Sequence, residues 1–128
     1  GEFGRGLVVF LGIGEGDTTT YLELICDKVT GLRVFDDESE IPNLSVCDIG
    51  GSVLLISQFT LCADARKGKR PSYIKAARPE QAIPLYEEAI SRIRQSVPVA
   101  TGVFQANMQV KLVNDGPHTI LLDSKKLF

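Results

Sequence analysis

The chain is poor in the side chains that usually carry reactions. It has one histidine, His118, and three cysteines, Cys26, Cys47 and Cys62. A zinc site needs about four ligands at short paired spacings, and three widely spaced thiols with no C-x-x-C do not provide them. The bland reading is three reduced thiols in a cytosolic setting, so no metal or cofactor is expected. Any Ser-His-Asp or Cys-His triad must use His118, and there is no G-x-S-x-G elbow to carry a nucleophile. Asp115 lies too close to His118 in sequence, across a tight loop, to complete a conventional triad with it. No apolar run approaches the roughly 20 residues that cross a bilayer, and no charged-then-apolar leader opens the chain. A cytoplasmic protein without membrane attachment is expected.

Low-complexity tracts, internal repeats and a strong charge bias are absent as well. With 128 residues, 44% hydrophobic and 23% charged, the sequence reads as one globular domain over 1–128. The net charge of −2 argues against broad nucleic-acid affinity. Four of the 14 basic residues nevertheless fall within five positions, at Arg66, Lys67, Lys69 and Arg70, and Lys75 and Arg78 follow. Such a cluster can be a solvated loop or a local phosphate contact; its place directly after a polar strand end favours the second.

Leu7–Leu11 and Val53–Ile56 are short apolar runs and read as buried strands. Between them Asp17 offers a helix cap, Leu22, Ile25, Cys26 and Val29 recur at helical spacing, and Gly31 supplies a stop. Leu32–Phe35 reads as a short strand broken by the acidic loop 36–40 and by Pro42. A second helix extends to about Arg94 with Leu85, Tyr86, Ala89, Ile90 and Ile93 on one face. Pro79 suits its first turn, whereas Pro84 requires a late start or a kink. From Phe104 the alternation Phe104, Ala106, Met108, Val110, Leu112 predicts a strand, and Ile120–Leu122 another. The sum is an α/β domain of stacked sheet layers.

Gly12-Ile13-Gly14-Glu15-Gly16-Asp17 invites a dinucleotide-binding reading. Its spacing is one residue short of the fingerprint, Asp17 would meet the pyrophosphate with negative charge, and no second βαβ unit follows. A glycine-rich turn into a capped helix is the better reading.

Two segments carry more specific information. In Asn114-Asp115-Gly116-Pro117-His118-Thr119 an Asp-Gly pair stands where a hairpin could close, but Pro117 removes a donor and restricts Gly116. A stiff loop results, with the Gly116 and Pro117 carbonyls free to point outward. In Ser57-Gln58-Phe59-Thr60-Leu61 an apolar strand ends in a sudden polar run. These segments match, without a mismatch, the "SQFTL" and "N-x-G-P-x-T" signatures of the D-aminoacyl-tRNA deacylases, which the chain therefore resembles. The resemblance extends to Gly4–Ile13, similar to the family's second strand, to Asn43–Val46, to Arg66–Ser72 and to Phe104-x-Ala106-x-Met108.

The resemblance implies a layered, barrel-like pair of β-sheets with two helices packed outside. It implies a homodimeric hydrolase that cleaves D-amino acids, and glycine mischarged on tRNA-Ala, from tRNA as a proofreading step in translation. It further implies a cis Gly116-Pro117 bond inserted into the partner subunit's site, where two carbonyls capture the substrate α-ammonium and leave no space on the L face. Asn114 and Thr119 would support that loop; Phe104, Ala106 and Met108 would line the adenosine pocket; Arg66, Lys67, Lys69 and Arg70 would meet tRNA phosphates. At Ser57, Gln58, Phe59 and Thr60 the catalytic contribution would come mainly from backbone N–H groups. An aminoacyl ester is already activated, so fixing it and stabilising its oxyanion can suffice. Thr60 as a nucleophile is the alternative, with no base near it in sequence. Two rival functions accompany this reading: a sister proofreader of mischarged small L-aminoacyl-tRNA, which would require a trans Gly-Pro loop, and a non-catalytic tRNA-binding or structural dimer.

Two departures from the family pattern accompany the match. Gln105 stands where the family usually has glycine. The family usually begins about twenty residues earlier, with a strand whose basic residue braces the Gly-Pro loop. The expectation for this 128-residue form is a dimer in which the partner covers the open sheet edge.

Overall fold

A computed structural model describes residues 4–127; Gly1-Glu2-Phe3 and Phe128 lie outside the described residues. Strand β1 (Gly6–Leu11) leads to helix α1 (Thr19–Gly31). Two short strands follow, β2 (Phe35–Asp36) and β3 (Pro42–Leu44), and then β4 (Ser52–Ser57), a 3₁₀ turn (Phe59–Cys62), α2 (Pro79–Arg94) and β5 (Val99–Thr101). β1, β4 and β5 form a parallel sheet in the order β1-β4-β5, with Leu7 opposite Val53, Leu11 opposite Ser57 and Val53 opposite Val99. β2 and β3 form a separate antiparallel pair with an irregular register.

Both helices lie on one face of the parallel sheet. Leu22, Cys26 and Val29 of α1 and Ala82, Tyr86, Ala89 and Ile93 of α2 meet Val53, Leu55 and Val99 in the core. The helical spacing read from the sequence therefore marks the correct faces, with Ile25, Leu85 and Ile90 at their margins. Outside the core, Arg92 of α2 joins the helices by contacting Glu23 of α1 at 2.8 Å, and it also meets Glu88 of its own helix at 3.2 Å. Burial raises the Cys26 thiol pKa to about 11, so this residue behaves as a small apolar core group.

Several expectations need correction. β1 is not a fully buried strand: only Leu11 is buried, because the helices cover the Leu7-Val9-Leu11 face and leave Phe10 on the open one. Asp17 does not cap α1. Thr18 holds the cap position, and the Asp17 carboxylate instead accepts from the Gly14 N–H at 2.7 Å. The strand expected over Leu32–Phe35 is confined to Phe35–Asp36, and Pro42 opens β3 rather than ending an element. α2 begins at Pro79 and carries Pro84 within it, so the late start is excluded.

The largest difference is at the C-terminal end. Neither Phe104–Leu112 nor Ile120–Leu122 is a strand, and among the described residues no backbone–backbone hydrogen bond reaches residues 107–122. Alternation assigns side chains to two faces, but a strand also needs a neighbour to complete its ladder, and this arm has none among the described residues. Its apolar residues are correspondingly open, with Val113 92% and Leu121 69% exposed. Among the described residues the architecture is α/β with two helices, one parallel and one antiparallel sheet, neither closed.

Candidate functional site

The three parallel strands all end at the same sheet edge, and each continues into a segment singled out in the sequence. β1 runs into the glycine-rich turn, β4 into Gln58–Cys62 and β5 into the Gly102–Met108 loop. The carboxyl edge of an open parallel sheet is the usual place for a ligand, because the loops there diverge and leave a crevice.

At the end of β4 the Gln58 N–H donates to the Leu11 carbonyl at 2.8 Å, the last rung of the ladder. The chain then tightens into the 3₁₀ turn, where the Leu61 N–H donates back to the Gln58 carbonyl at 3.2 Å. A turn with i→i+3 bonds leaves its first N–H groups without internal acceptors, and here they belong to Phe59 and Thr60. The Thr60 hydroxyl accepts from the Gln58 side-chain amide. Among the described residues no histidine, carboxylate or lysine is hydrogen-bonded to it, so nothing there can take its proton. Phe59 is 55% exposed and meets Tyr73 edge to face, with ring centroids 5.2 Å apart.

Gly12 lets this turn lie against β1. A Cβ at Gly12 would fall 2.9 Å from the Leu61 Cβ and 3.1 Å from the Gln58 carbonyl oxygen. Nearby, burial first, then Asp17 and Asp123, push the Cys62 thiol up, which keeps it protonated and a poor nucleophile. The glycine-rich turn is not open to phosphate: Asp17 already occupies the Gly14 N–H, and the Glu15 N–H donates to the Lys75 carbonyl at 2.9 Å.

In the loop after β5, Phe104 packs on Tyr86 with centroids 6.1 Å apart, and the Tyr86 hydroxyl donates to the buried Leu55 carbonyl at 2.7 Å. Met108 folds across Gly102, where a Cβ would meet its sulfur at 2.2 Å. Ala106 is exposed, so Phe104 and Met108 supply the apolar surface of this loop. Gln105 has φ 63°, a left-handed conformation that suits glycine. The strain on a side chain there is about 1–2 kcal/mol, partly offset by the backbone entropy a glycine would lose. Gln105→Gly is expected to stabilise the protein by roughly 0.5–1 kcal/mol. A melting temperature equal to or below that of the parent would contradict this.

The Gly116-Pro117 bond is cis, and Gly116 has φ 138°. Asn114 ties the loop on both sides: its Oδ1 accepts from the His118 N–H at 2.7 Å and its Nδ2 donates to the Thr119 hydroxyl at 2.8 Å. Gly116 and Pro117 line a cleft of about 1700 Å³ together with β1 and Leu61–Arg66, but Ser57, Gln58, Phe59 and Thr60 are not part of its lining. Leu61, the last residue of the first signature segment, thus borders the cleft with the Gly-Pro loop, whereas Phe59 and Thr60 do not.

The basic loop is closed at its base by Asp64 and Ser72, whose backbones exchange two hydrogen bonds of 2.8 Å. The Arg66 side chain is exposed and paired with Asp64. It makes a two-pronged contact with Asp64 at 2.9 and 2.7 Å. Lys67, Lys69 and Arg70 are exposed, and among the described residues none has an acidic partner at ion-pair distance. Sequence reading places Gly12 in a turn and Tyr86 on a helix face but does not connect them, Gly102 or Asp64 with the site.

A family profile described as D-Tyr-tRNA(Tyr) deacylase matches residues 1–123. A protein of Koribacter versatilis (strain Ellin345) named D-aminoacyl-tRNA deacylase is 57% identical over 129 aligned positions, covering all of this chain and 87% of that protein. One of the same name from Thermotoga petrophila (strain ATCC BAA-488 / DSM 13995 / JCM 10881 / RKU-1) is 54% identical with the same coverage. Among solved structures, one titled "c-Myc DNA Unwinding Element Binding Protein" superposes with a TM-score of 0.89 at 40% identity, over 94% of this chain and 83% of that one. Another, titled "Structural Analysis of a probable eukaryotic D-amino acid tRNA deacylase", has a TM-score of 0.69 at 14% identity over 82% and 77% of the two chains, a likeness of fold.

Proposed function

We propose, on the premise that this chain belongs to the D-Tyr-tRNA(Tyr) deacylase family, that it hydrolyses the ester joining a D-amino acid to tRNA. The observation that carries the chemistry is the pair of unclaimed N–H groups at Phe59 and Thr60 beside a hydroxyl that lacks a base. With the ester carbonyl oxygen against these donors, water or the neighbouring ribose hydroxyl adds to the carbonyl carbon. The resulting oxyanion is held by fixed backbone dipoles, and collapse breaks the bond to the ribose oxygen, which takes up a proton. When the ribose hydroxyl attacks first, the ester migrates to it and water completes the release. The products are free D-amino acid and tRNA. One such donor contributes ~10²–10³ in rate.

Stereochemistry falls to Gly116 and Pro117, whose carbonyls accept from the substrate α-ammonium and exclude an L side chain. Glycine has no side chain to exclude and passes, which extends the substrates to glycyl-tRNA mischarged on tRNA-Ala. Phe59 and Thr60 do not line the cleft that Gly116 and Pro117 border within one chain, and this reading brings them together in a homodimer in which each Gly-Pro loop enters the other subunit's site. The 1–128 deacylase domain would then complete its layered, barrel-like pair of sheets across the dimer. The site uses no cofactor, and the protein acts in the cytoplasm.

The position of Phe59 and Thr60 outside the cleft lined by Gly116 and Pro117 also favours a second reading, a non-catalytic tRNA-binding or structural dimer. Turnover of D-Tyr-tRNA separates the two, and absence of turnover removes the enzymatic reading. The mechanism itself is tested at Thr60. Thr60→Ala is expected to lose less than about tenfold in single-turnover rate, against ~10²–10³ for loss of an oxyanion donor. A stable acyl-enzyme on Thr60 would instead establish nucleophilic catalysis.

A further inference from the structure

We propose that Asp64 and Arg66 form a positioning pair that locks the basic loop, and that Lys67, Lys69 and Arg70 alone are its phosphate-contacting cations. The proposal rests on the reading of tRNA as the substrate and assigns that site's cations individually. The four basic residues look equivalent in sequence, but among the described residues Arg66 alone of the four has an acidic partner. Arg66 directs two guanidinium nitrogens at the Asp64 carboxylate, at 2.9 and 2.7 Å, while its backbone N–H donates to the same carboxylate at 3.0 Å. Asp64 in turn exchanges backbone hydrogen bonds with Ser72, so the lock sits at the neck of the loop. The reversal at Gly68, with φ 62°, turns the chain between Lys67 and Lys69.

The Asp64 carboxyl is held well below the usual carboxylate range, chiefly by its side-chain and backbone hydrogen bonds from Arg66. A carboxyl whose pKa is lowered on folding keeps that contribution above its unfolded pKa and loses it only as pH falls through the lower folded value. The pair is therefore intact at any neutral assay pH. The Arg66 side chain is 78% exposed and keeps three guanidinium N–H donors free of Asp64, but the adjacent carboxylate offsets its charge, so a phosphate gains little net attraction there compared with an unpaired cation. The three free cations are instead carried on a loop ordered before binding, which reduces the entropy lost on association.

The test measures affinity for uncharged tRNA as a function of potassium chloride concentration. Removing one cation that neutralises a phosphate lowers the slope of log affinity against log salt by roughly 0.7–0.9. Lys67→Gln, Lys69→Gln and Arg70→Gln are each expected to lower the slope by about that amount. Arg66→Gln should leave the slope within about 0.3 of the parent yet weaken binding roughly two- to fivefold. Asp64→Asn should weaken binding by a similar factor although it removes a negative charge, and Asp64→Asn/Arg66→Gln should be no worse than either single change. Tighter binding by Asp64→Asn would overturn the proposal. So would a slope reduction of a full phosphate in Arg66→Gln, additive effects in the double variant, or a parent with no salt dependence. Asp64→Glu, which keeps the charge, should recover most of the affinity. D-Tyr-tRNA turnover by the parent is scored separately: its absence counts against the deacylase reading, while the salt slopes still decide the lock.

Discussion

Gly116→Ala is expected to reduce D-aminoacyl-tRNA hydrolysis by about a hundredfold, to let L-aminoacyl-tRNA react at a comparable rate, or both. The argument begins with the backbone. At φ 138° an alanine is strained whatever space surrounds it, and its Cβ would lie 3.1 Å from the His118 nitrogen and 3.3 Å from the His118 Cβ. The His118 N–H is one end of the Asn114 brace, so relief of the strain loosens the hydrogen bond that fixes the loop's shape. A displacement near 1 Å at a positioning group costs on the order of 10² in rate. Pro117→Ala should act in the same direction and more weakly, because it removes the ring that fixes φ without adding a clash. Single-turnover rates on D-Tyr-tRNA and L-Tyr-tRNA decide the matter. Unchanged rates and an unchanged D-to-L ratio in both variants would remove the loop from the mechanism.

Much of the fold is legible in the sequence where one element satisfies its own hydrogen bonds or has its partner within the chain. The buried faces of α1 and α2 follow from Leu22-Cys26-Val29 and Tyr86-Ala89-Ile93, since a helix closes its own ladder and only its apolar stripe needs a neighbour. The arm from Phe104 to Leu122 has an equally regular pattern, yet a strand's ladder depends on another segment, and nothing in the pattern says which. The Asn114 brace is expected from the sequence only through the family resemblance; the folded loop makes it through bonds to the His118 N–H and the Thr119 hydroxyl, which a short polar side chain beside a turn readily forms. The Asp64–Arg66 lock was not legible. A charge run gives the number of cations, whereas which of them is already paired depends on the direction the chain takes between Asp64 and Ser72. Gly12 was visible only as one of several glycines in a turn. Its significance comes from the approach of Leu61, about fifty residues later in the chain, a relation that only the folded chain contains.

That approach separates the chemistry of the site from its stereochemistry. Gly12→Ala places a Cβ 2.9 Å from the Leu61 Cβ, 3.1 Å from the Gln58 carbonyl oxygen and 3.4 Å from the Cys62 sulfur. The Leu61 Cβ and the Gln58 oxygen are rigidly attached to the backbone, so no rotamer change relieves the clash and the 3₁₀ turn itself must move away from β1. Overpacking of this kind costs about 1–3 kcal/mol, read as a lower melting temperature. The Phe59 and Thr60 N–H groups move with the turn, and misplaced oxyanion donors lower the rate by ~10²–10³. Because the Gly-Pro loop is untouched, the rate should fall for D-aminoacyl-tRNA and glycyl-tRNA alike while L-aminoacyl-tRNA stays excluded, the opposite of the pattern expected for Gly116→Ala. Gly31→Ala is the control, since nothing lies within 4 Å of its added Cβ, and it should leave rate and selectivity unchanged. If Gly12→Ala keeps the parent rate despite a lowered melting temperature, the turn at Phe59 and Thr60 does not hold the oxyanion, and the ester must be fixed by other donors at the carboxyl edge of the sheet.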